Sequence, residues 1–303
     1  KYYFEVCDNN AIDGYSCTQS EPTVHRRKTT EEMDKIGEQI NEEIKSELGK
    51  SIEDINEMQR QFDEMLYELQ NKERLSYQDK EKLENMLEQQ KEMMEQLEEL
   101  RDQMQVNHES QNEYNEFSEE ILKKQQKIEE LFEKLLTEEM KEMMEEIQKM
   151  LEEFNKEDLN ENIREYQADN EELEKMLDMT LEMYKMLEFE QEFEKTMNRL
   201  DSLSKEQERL SEKTEDSKRS ELEEIKEEQD KLNDDFDKIG EQLDKLEQMN
   251  KELEKNLDID FNDEEVSDIK GNMQEASDEL ESNDKKGASQ KQKEASEKMK
   301  KMG

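Results

Sequence analysis

The chain has little proline, glycine or apolar character: one proline, seven glycines, no tryptophan and 30% hydrophobic residues in 303 positions. An ordinary globular domain is about 45–50% apolar, so a large three-dimensional core is excluded. The single proline is Pro22. Because proline is the strongest helix breaker, everything after it can form long helices, and the abundance of Glu, Lys, Leu, Gln and Met favours them over disorder.

Basic charge is also scarce. The 45 lysines and arginines face 89 acidic residues, which gives a net charge of −44. Binding to nucleic acid or anionic lipid needs a concentrated basic surface, so we expect neither to be a partner of the bulk of the chain. No apolar run reaches the roughly eighteen residues of a membrane-spanning helix.

Catalytic and metal-binding patterns are sparse as well. The two histidines, His25 and His108, have no second histidine or glutamate at the spacing of a zinc-protease helix or a di-iron bundle. The scattered glycines form no phosphate-binding loop. We therefore predict no cofactor and no enzymatic activity. His108 lies in a polar stretch, which predicts an exposed loop residue.

The first 22 residues differ from the rest. Residues 2–7 alternate apolar and polar side chains, which predicts a half-buried strand. Residues 8–14 are rich in Asn, Asp and Gly and predict a turn, and residues 15–20 are predicted to be the returning strand. Because an isolated hairpin is barely stable in water, we interpret residues 1–22 as the end of a truncated β domain.

Two candidate sites lie in this segment. If the strands pair, Cys7 and Cys17 come close enough for a disulfide, which is stable in an oxidising compartment such as the periplasm; otherwise they are two small buried residues. The turn resembles a calcium loop only loosely, because its spacing departs from the EF-hand pattern. It is either a structural turn or a weak site for a hard cation, with the candidate ligands Asp8, Asn10 and Asp13.

Apolar residues recur at helical spacing from Thr29 onward. This pattern predicts a mostly α fold of long antiparallel helices or coiled coil over residues 29–257, with breaks near 71–78, 105–112, 155–158 and 211–220. Short helices and a basic tail follow over 262–303. The strongest heptad pattern, which predicts a left-handed supercoil, contains the helix-packing residues Leu222, Ile225, Leu232, Phe236, Ile239, Leu243 and Leu246. Their partner helix lies either in the same chain or in a second copy.

Charged surfaces leave two further alternatives open. Glutamate pairs repeat every seven residues at 138–139, 145–146 and 152–153, and they form either a binding surface for a basic partner or a solvated face. We expect the lysine-rich tail to contact either phosphate or lipid headgroups, or the acidic helices of its own chain.

Several segments resemble, in the same order, a family of large bacterial membrane-anchored, coiled-coil-rich proteins of unknown function. The first is the strand and turn over residues 2–14, which is similar to the last strands of an Ig-like domain. The others are residues 75–83, 115–122, 183–191, 286–289 and 295–299. Cys7 and Cys17 depart from the pattern of that family.

The resemblance implies membrane helices near the N-terminus of such proteins, then Ig-like domains, then a long acidic helical region outside the cytoplasm. We therefore expect a non-enzymatic structural or protein-interaction segment of the bacterial cell envelope, extracytoplasmic and attached to the membrane only through a preceding region. It would bind other proteins or itself through helix faces. The alternative is a cytosolic coiled-coil rod or tether.

Overall fold

A computed structural model of the chain describes residues 3–7, 16–23, 26, 28–70, 76–136, 142, 144–149, 156–259 and 263–303. Within these residues the fold is mostly α, with a short antiparallel β-hairpin before the first helix. This confirms the predicted fold class. No helix in the described part of the chain is both long enough and apolar enough to cross a membrane.

The hairpin consists of β1 (Glu5–Cys7) and β2 (Cys17–Gln19), which pair with Cys7 opposite Cys17. The prediction that its first strand is half-buried is wrong: every strand residue is exposed, and the neighbouring Phe4 is 74% exposed. Each strand has only three residues, so it offers little apolar surface for a helix to pack against. Neither hydrophobic core of the described chain includes a residue of the strands. The predicted turn at 8–14 lies outside the described residues.

Seven helices are labelled here in chain order. They are α1 (Thr30–Gln70), α2 (Tyr77–Tyr114), α3 (Glu119–Leu135), α4 (Lys156–Asp216), α5 (Leu222–Glu252), α6 (Asp263–Glu281) and α7 (Lys285–Met302). The backbone is also helical over 144–149.

The first three helices and the N-terminal half of α4 form one bundle, the N-terminal bundle. Each neighbouring pair is antiparallel, because residue numbers rise along one helix as those of their contacts fall along the other. The contacts that show this are Asn41–Asn107 and Glu68–Lys82 for α1 and α2, His108–Glu129 and Asn112–Gln125 for α2 and α3, Ser118–Glu194 and Lys124–Glu190 for α3 and α4, and Lys45–Glu188 and Gln59–Glu174 for α1 and α4. The apolar stripes meet in one core that includes Ile44, Phe62, Leu97, Ile128, Phe132 and Leu177.

The C-terminal half of α4 forms a second bundle with α5, α6 and α7, the C-terminal bundle. Its neighbouring helices are antiparallel as well, because paired contacts run in opposite directions along them. These are Gln207–Gln229 and Lys213–Glu228, Lys226–Glu281 and Asp237–Lys270, Asp268–Lys298 and Glu275–Lys291, and Ser204–Ser296 and Ser211–Ser289. A separate core contains Phe189, Leu200, Phe236, Ile269, Ala295 and Met299. The helices therefore fold back within one chain.

Helix α4 is shared by the two bundles and, at 61 residues, is about 90 Å long. In the N-terminal bundle its buried residues Leu177, Thr180, Tyr184 and Leu187 follow a 3-4-3 spacing. Continued at intervals of seven residues, this stripe would pass through positions 198 and 208. In the C-terminal bundle the buried residues are instead Leu200 and Leu210, two positions further along the helix. Since each residue turns a helix by about 100°, α4 buries nearly opposite sides in the two bundles.

The helix ends agree with the predicted breaks in some places and not in others. Helix α2 begins at a capping box in which Ser76 Oγ accepts from the Asp79 amide and the Asp79 carboxylate accepts from the Ser76 amide. The turn between α4 and α5 lies at 217–221, and four of its five residues fall within the predicted break at 211–220. At 155–158, residues from Lys156 onward are already helical.

The prediction of a break at 105–112 is wrong. Residues 105–112 belong to α2, and the chain leaves the helix at 115–118 instead. The polar residues Asn107, His108 and Gln111 are buried at core positions of the helix. These residues continue the buried stripe of Met104 at helical spacing. The polar stretch that predicted a loop therefore lies on the buried face of a helix.

Candidate functional site

The seven predicted helix-packing residues all lie in α5, and all are buried in the C-terminal bundle. The 3-4 heptad spacing places them on one side of α5, where they face α4 and α6. They pack within their own chain, so a partner cannot reach them while the bundle is closed. What remains available on α5 is the opposite, acidic side.

A layer of glutamines crosses the C-terminal bundle at the level of Gln229. The side chains of Gln207, Gln229 and Gln292 come from α4, α5 and α7 and are fully buried. Gln207 and Gln229 each donate to the other at 2.7 and 3.0 Å, and Gln292 donates to Gln229 at 3.0 Å. A buried amide is stabilised only if it finds partners, so this layer favours one register of the three helices.

A second polar cluster lies in the N-terminal bundle. Tyr184 Oη and Asn107 Nδ2 donate to the same oxygen, Asn41 Oδ1, at 2.8 and 2.7 Å. The three residues come from α4, α2 and α1. Burial raises the pKa of the Tyr184 phenol above its ordinary value, and Glu188 adds to that effect. The phenol therefore stays neutral and acts as a hydrogen-bond donor.

His108 lies beside this cluster and is only 4% exposed. The prediction of an exposed loop residue is wrong, because the helix carries His108 into the core between α2, α3 and α4. Its ring stacks on Tyr184 with 6.3 Å between centroids. Neither ring nitrogen has a hydrogen-bond partner, and Nδ1 lies 3.9 Å from Glu129 Oε1. Burial lowers the pKa of His108 to about 4.

A buried ion pair joins α1 to α4, with 2.7 Å between Lys45 Nζ and Glu188 Oε2. Burial raises the pKa of the Glu188 carboxyl in spite of the Lys45 ammonium beside it. About three turns before Lys45 on α1, Asp34 accepts from Arg199 at 2.6 Å and lies 3.3 Å from Lys195, both further along α4. These charges fix the position of α1 against the middle of α4.

A glycine leaves room for a side chain of α2 at the same level. Gly37 of α1 is buried, and a Cβ built there would lie 1.6 Å from the side-chain Nε2 of Gln111 and 3.7 Å from Oδ1 of Asn107. A larger residue at position 37 would therefore displace the amide of Gln111 from its place between the two helices.

In the hairpin, Cys7 and Cys17 form a disulfide with 4.0 Å between their Cα atoms. Glu5 lies close to both sulfur atoms, but sulfurs joined in a disulfide provide no thiolate ligand for a metal. The candidate cation ligands Asp8, Asn10 and Asp13 lie outside the described residues.

A groove of about 560 Å³ opens where α4, α5 and α6 meet the end of α7. Its floor is apolar, with Phe193, Met197, Leu243, Val266 and Met302, and its rim carries both acidic and basic side chains. The described residues that line the groove include no histidine and no cysteine.

The lysine-rich tail is α7, and three of its lysines form ion pairs within the chain. Lys291, Lys298 and Lys300 pair with Glu275, Asp268 and Glu208 at 2.6–3.0 Å. This agrees with the predicted pairing to acidic helices of the same chain. Of the glutamate pairs, 145–146 is exposed, and both other pairs lie outside the described residues.

Fold and side chains together define an elongated, acidic protein of two helical bundles that share one helix, with a disulfide-bonded hairpin before them. Comparison with models of protein families, with curated proteins and with solved structures finds no match.

Proposed function

We propose that this chain is a non-enzymatic structural or protein-interaction segment of a membrane-anchored bacterial envelope protein, and that it acts through the outer faces of its helices. The observation that carries this proposal is the continuity of α4 through both bundles. A shared helix holds two closed bundles in one fixed relation. That arrangement suits a spacer or a platform on which partners are positioned.

The outer faces are the part of the molecule that a partner would meet. Because the apolar stripes are buried within the chain, recognition would depend on charge rather than on an open hydrophobic seam. Complementary charge mainly sets association rate and partner choice. A partner with a basic helix or loop is therefore the chemistry that fits.

The disulfide supports an extracytoplasmic location. Disulfides persist in oxidising compartments and are rare in the cytosol, so the Cys7–Cys17 bond favours the envelope over the alternative of a cytosolic rod or tether. The hairpin is also short and exposed, which fits the interpretation of residues 1–22 as the end of a β domain.

The thiol state in cells tests the location. Cells are quenched in acid, and the protein is treated with a heavy maleimide before and after reduction. An envelope protein gains mass only after reduction, at two sites, while a cytosolic rod is labelled at both cysteines without reduction. A Cys7→Ser variant is the control, because its remaining thiol is labelled without reduction in either compartment.

Charge reversal tests the interaction surface. Asp234 and Glu241 are exposed and lie seven residues apart on α5. With a photo-crosslinker placed beside them, the double variant Asp234→Lys, Glu241→Lys should lose crosslinks to partners formed in intact cells. The matched variant Asp234→Asn, Glu241→Gln should retain part of them, and both should keep the helical circular dichroism signal. Unchanged crosslinks after reversal would contradict recognition by this face.

A further inference from the structure

His108 is the one described histidine that lies in a core, and the proposed function gives it no role. An imidazole has two polar nitrogens, and both are buried here without a hydrogen-bond partner. A leucine of similar size would fill the same space without that penalty. Buried polar groups that lack partners are uncommon in native proteins and call for an explanation.

We propose that His108 is an acid-sensitive latch: protonation of its imidazole loosens the packing of α2 against α3 and α4 in the N-terminal bundle and leaves the C-terminal bundle unchanged. The imidazolium carries two N–H donors and a full charge. In the position of the neutral ring, neither nitrogen has a hydrogen-bond partner. The charge would also be buried without a paired anion, which is strongly unfavourable.

The surroundings offer little compensation for that charge. From α3, Glu129 is the nearest anion, at 3.9 Å, and burial together with Glu109 and Glu133 raises its pKa. Glu129 is therefore itself inclined to protonate as the pH falls. Its side chain is also 41% exposed, so water screens its attraction to the ring.

Among the described residues, the groups that face the ring from the other helices carry no unpaired negative charge. From α4, Tyr184 stacks on the imidazole and stays neutral, since burial raises its pKa. Beyond it, Glu188 of α4 is paired with Lys45 of α1. The remaining α1 neighbour of the cluster, Asn41, is uncharged and already accepts from Tyr184 and Asn107.

The equilibrium between the closed and the open N-terminal bundle depends on pH because the two states bind the His108 proton with different affinities. The folded bundle holds His108 at a pKa of about 4, below the ordinary value of about 6.5, so the open state binds the proton more tightly. The contribution of neutral His108 to the stability of the closed bundle is fully present above about pH 6.5 and is lost as the pH falls toward 4. Between pH 7 and pH 5 the population of the open state should rise about 20-fold.

Hydrogen exchange at pH 7 and pH 5, corrected for the intrinsic rate, measures this opening. In the wild type, protection of the amides around residues 104–112 and 125–132 should fall about 20-fold more than in the variant His108→Leu. Amides around Phe236 in the C-terminal bundle should show no difference between the two proteins. If His108→Leu folds poorly, His108→Gln replaces it as a neutral comparison.

A direct titration completes the test. In a His25→Gln variant the single remaining imidazole can be followed by NMR, and we expect its midpoint well below 6. A midpoint at or above 6 would overturn the proposal, and so would an equal loss of protection in wild type and His108→Leu. Equal loss would assign the acid response to the many carboxylates instead.

Discussion

The buried pair between Lys45 and Glu188 gives the sharpest test of the packing of α1 against α4. The side chain of Glu188 is 5% exposed and that of Lys45 is 15% exposed, with 2.7 Å between Nζ and Oε2. Lys45→Met removes one charge and leaves the other buried. Breaking a buried pair in this way costs about 3–5 kcal/mol of unfolding free energy.

The double variant Lys45→Met, Glu188→Met should behave differently. It removes both charges and fills their space with apolar atoms, and such replacements are often neutral or stabilising by about 1–4 kcal/mol. The double variant should therefore recover most of the loss. A matched control is the exposed pair of Lys238 and Asp235, which lies at 2.7 Å with 63% and 53% of the side chains exposed. Lys238→Met should change stability by less than about 1 kcal/mol.

Urea unfolding followed by circular dichroism at pH 7 and pH 5 provides the measurement. In Lys45→Met the unpaired Glu188 has a folded-state pKa above its unfolded value, so its destabilisation is present above that pKa and is relieved as the pH falls through it. The variant should thus lose less at pH 5 than at pH 7. A loss for Lys45→Met no larger than for Lys238→Met would refute the assignment of a buried pair.

Three more predictions concern the capping box, the C-terminal core and the hairpin. Ser76→Ala should lower stability by about 1 kcal/mol, and Ser118→Ala should lower it less in the same urea titration, because the Ser118 side chain makes no capping hydrogen bond. Phe236→Ala should cost about 3–5 kcal/mol, while Val106→Ala at an exposed position should stay within about 0.5 kcal/mol in thermal unfolding. Cys7→Ser should leave the melting temperature of the helices unchanged, since the hairpin belongs to neither core; a shift of several degrees would contradict that independence.

Periodicity alone predicts much of the helical architecture. The stripe in α5, for example, identifies all seven packing residues, because a 3-4 repeat over five heptads fixes which side of a helix is apolar. The Ser76 cap is also predictable, since a serine followed by an acidic residue three positions later has a local physical role. These features depend only on neighbours in sequence.

Other features depend on contacts that sequence distance hides. His108 and Gln111 look like loop residues until α1, α3 and α4 surround them. The polar residues His108 and Gln111 continue the helical spacing of the apolar Met104, and that spacing was the available signal. The shift of the buried face in α4 near Glu188 is likewise set by where the two bundles meet, since no proline or glycine marks it.

The hairpin shows the opposite failure. Alternation at residues 2–7 predicts burial of one face, but burial requires a covering layer, and none packs on the strands among the described residues. Alternation therefore predicts that a segment can pair as a strand, but it does not predict that another layer of the protein covers one face of that strand.

The folding of the helices back on one another within one chain, to form two bundles, can be tested directly by crosslinking. A carbodiimide crosslinks an amine to a carboxylate in contact, as in Lys245–Glu38 and Lys300–Glu208, both at 2.7 Å. A one-to-one mixture of unlabelled and ¹⁵N-labelled protein should give these crosslinks within single-isotope pairs only. Mixed-isotope crosslinks at these residues, in the proportion expected for random pairing, would show that the helices pack between chains and would contradict the account.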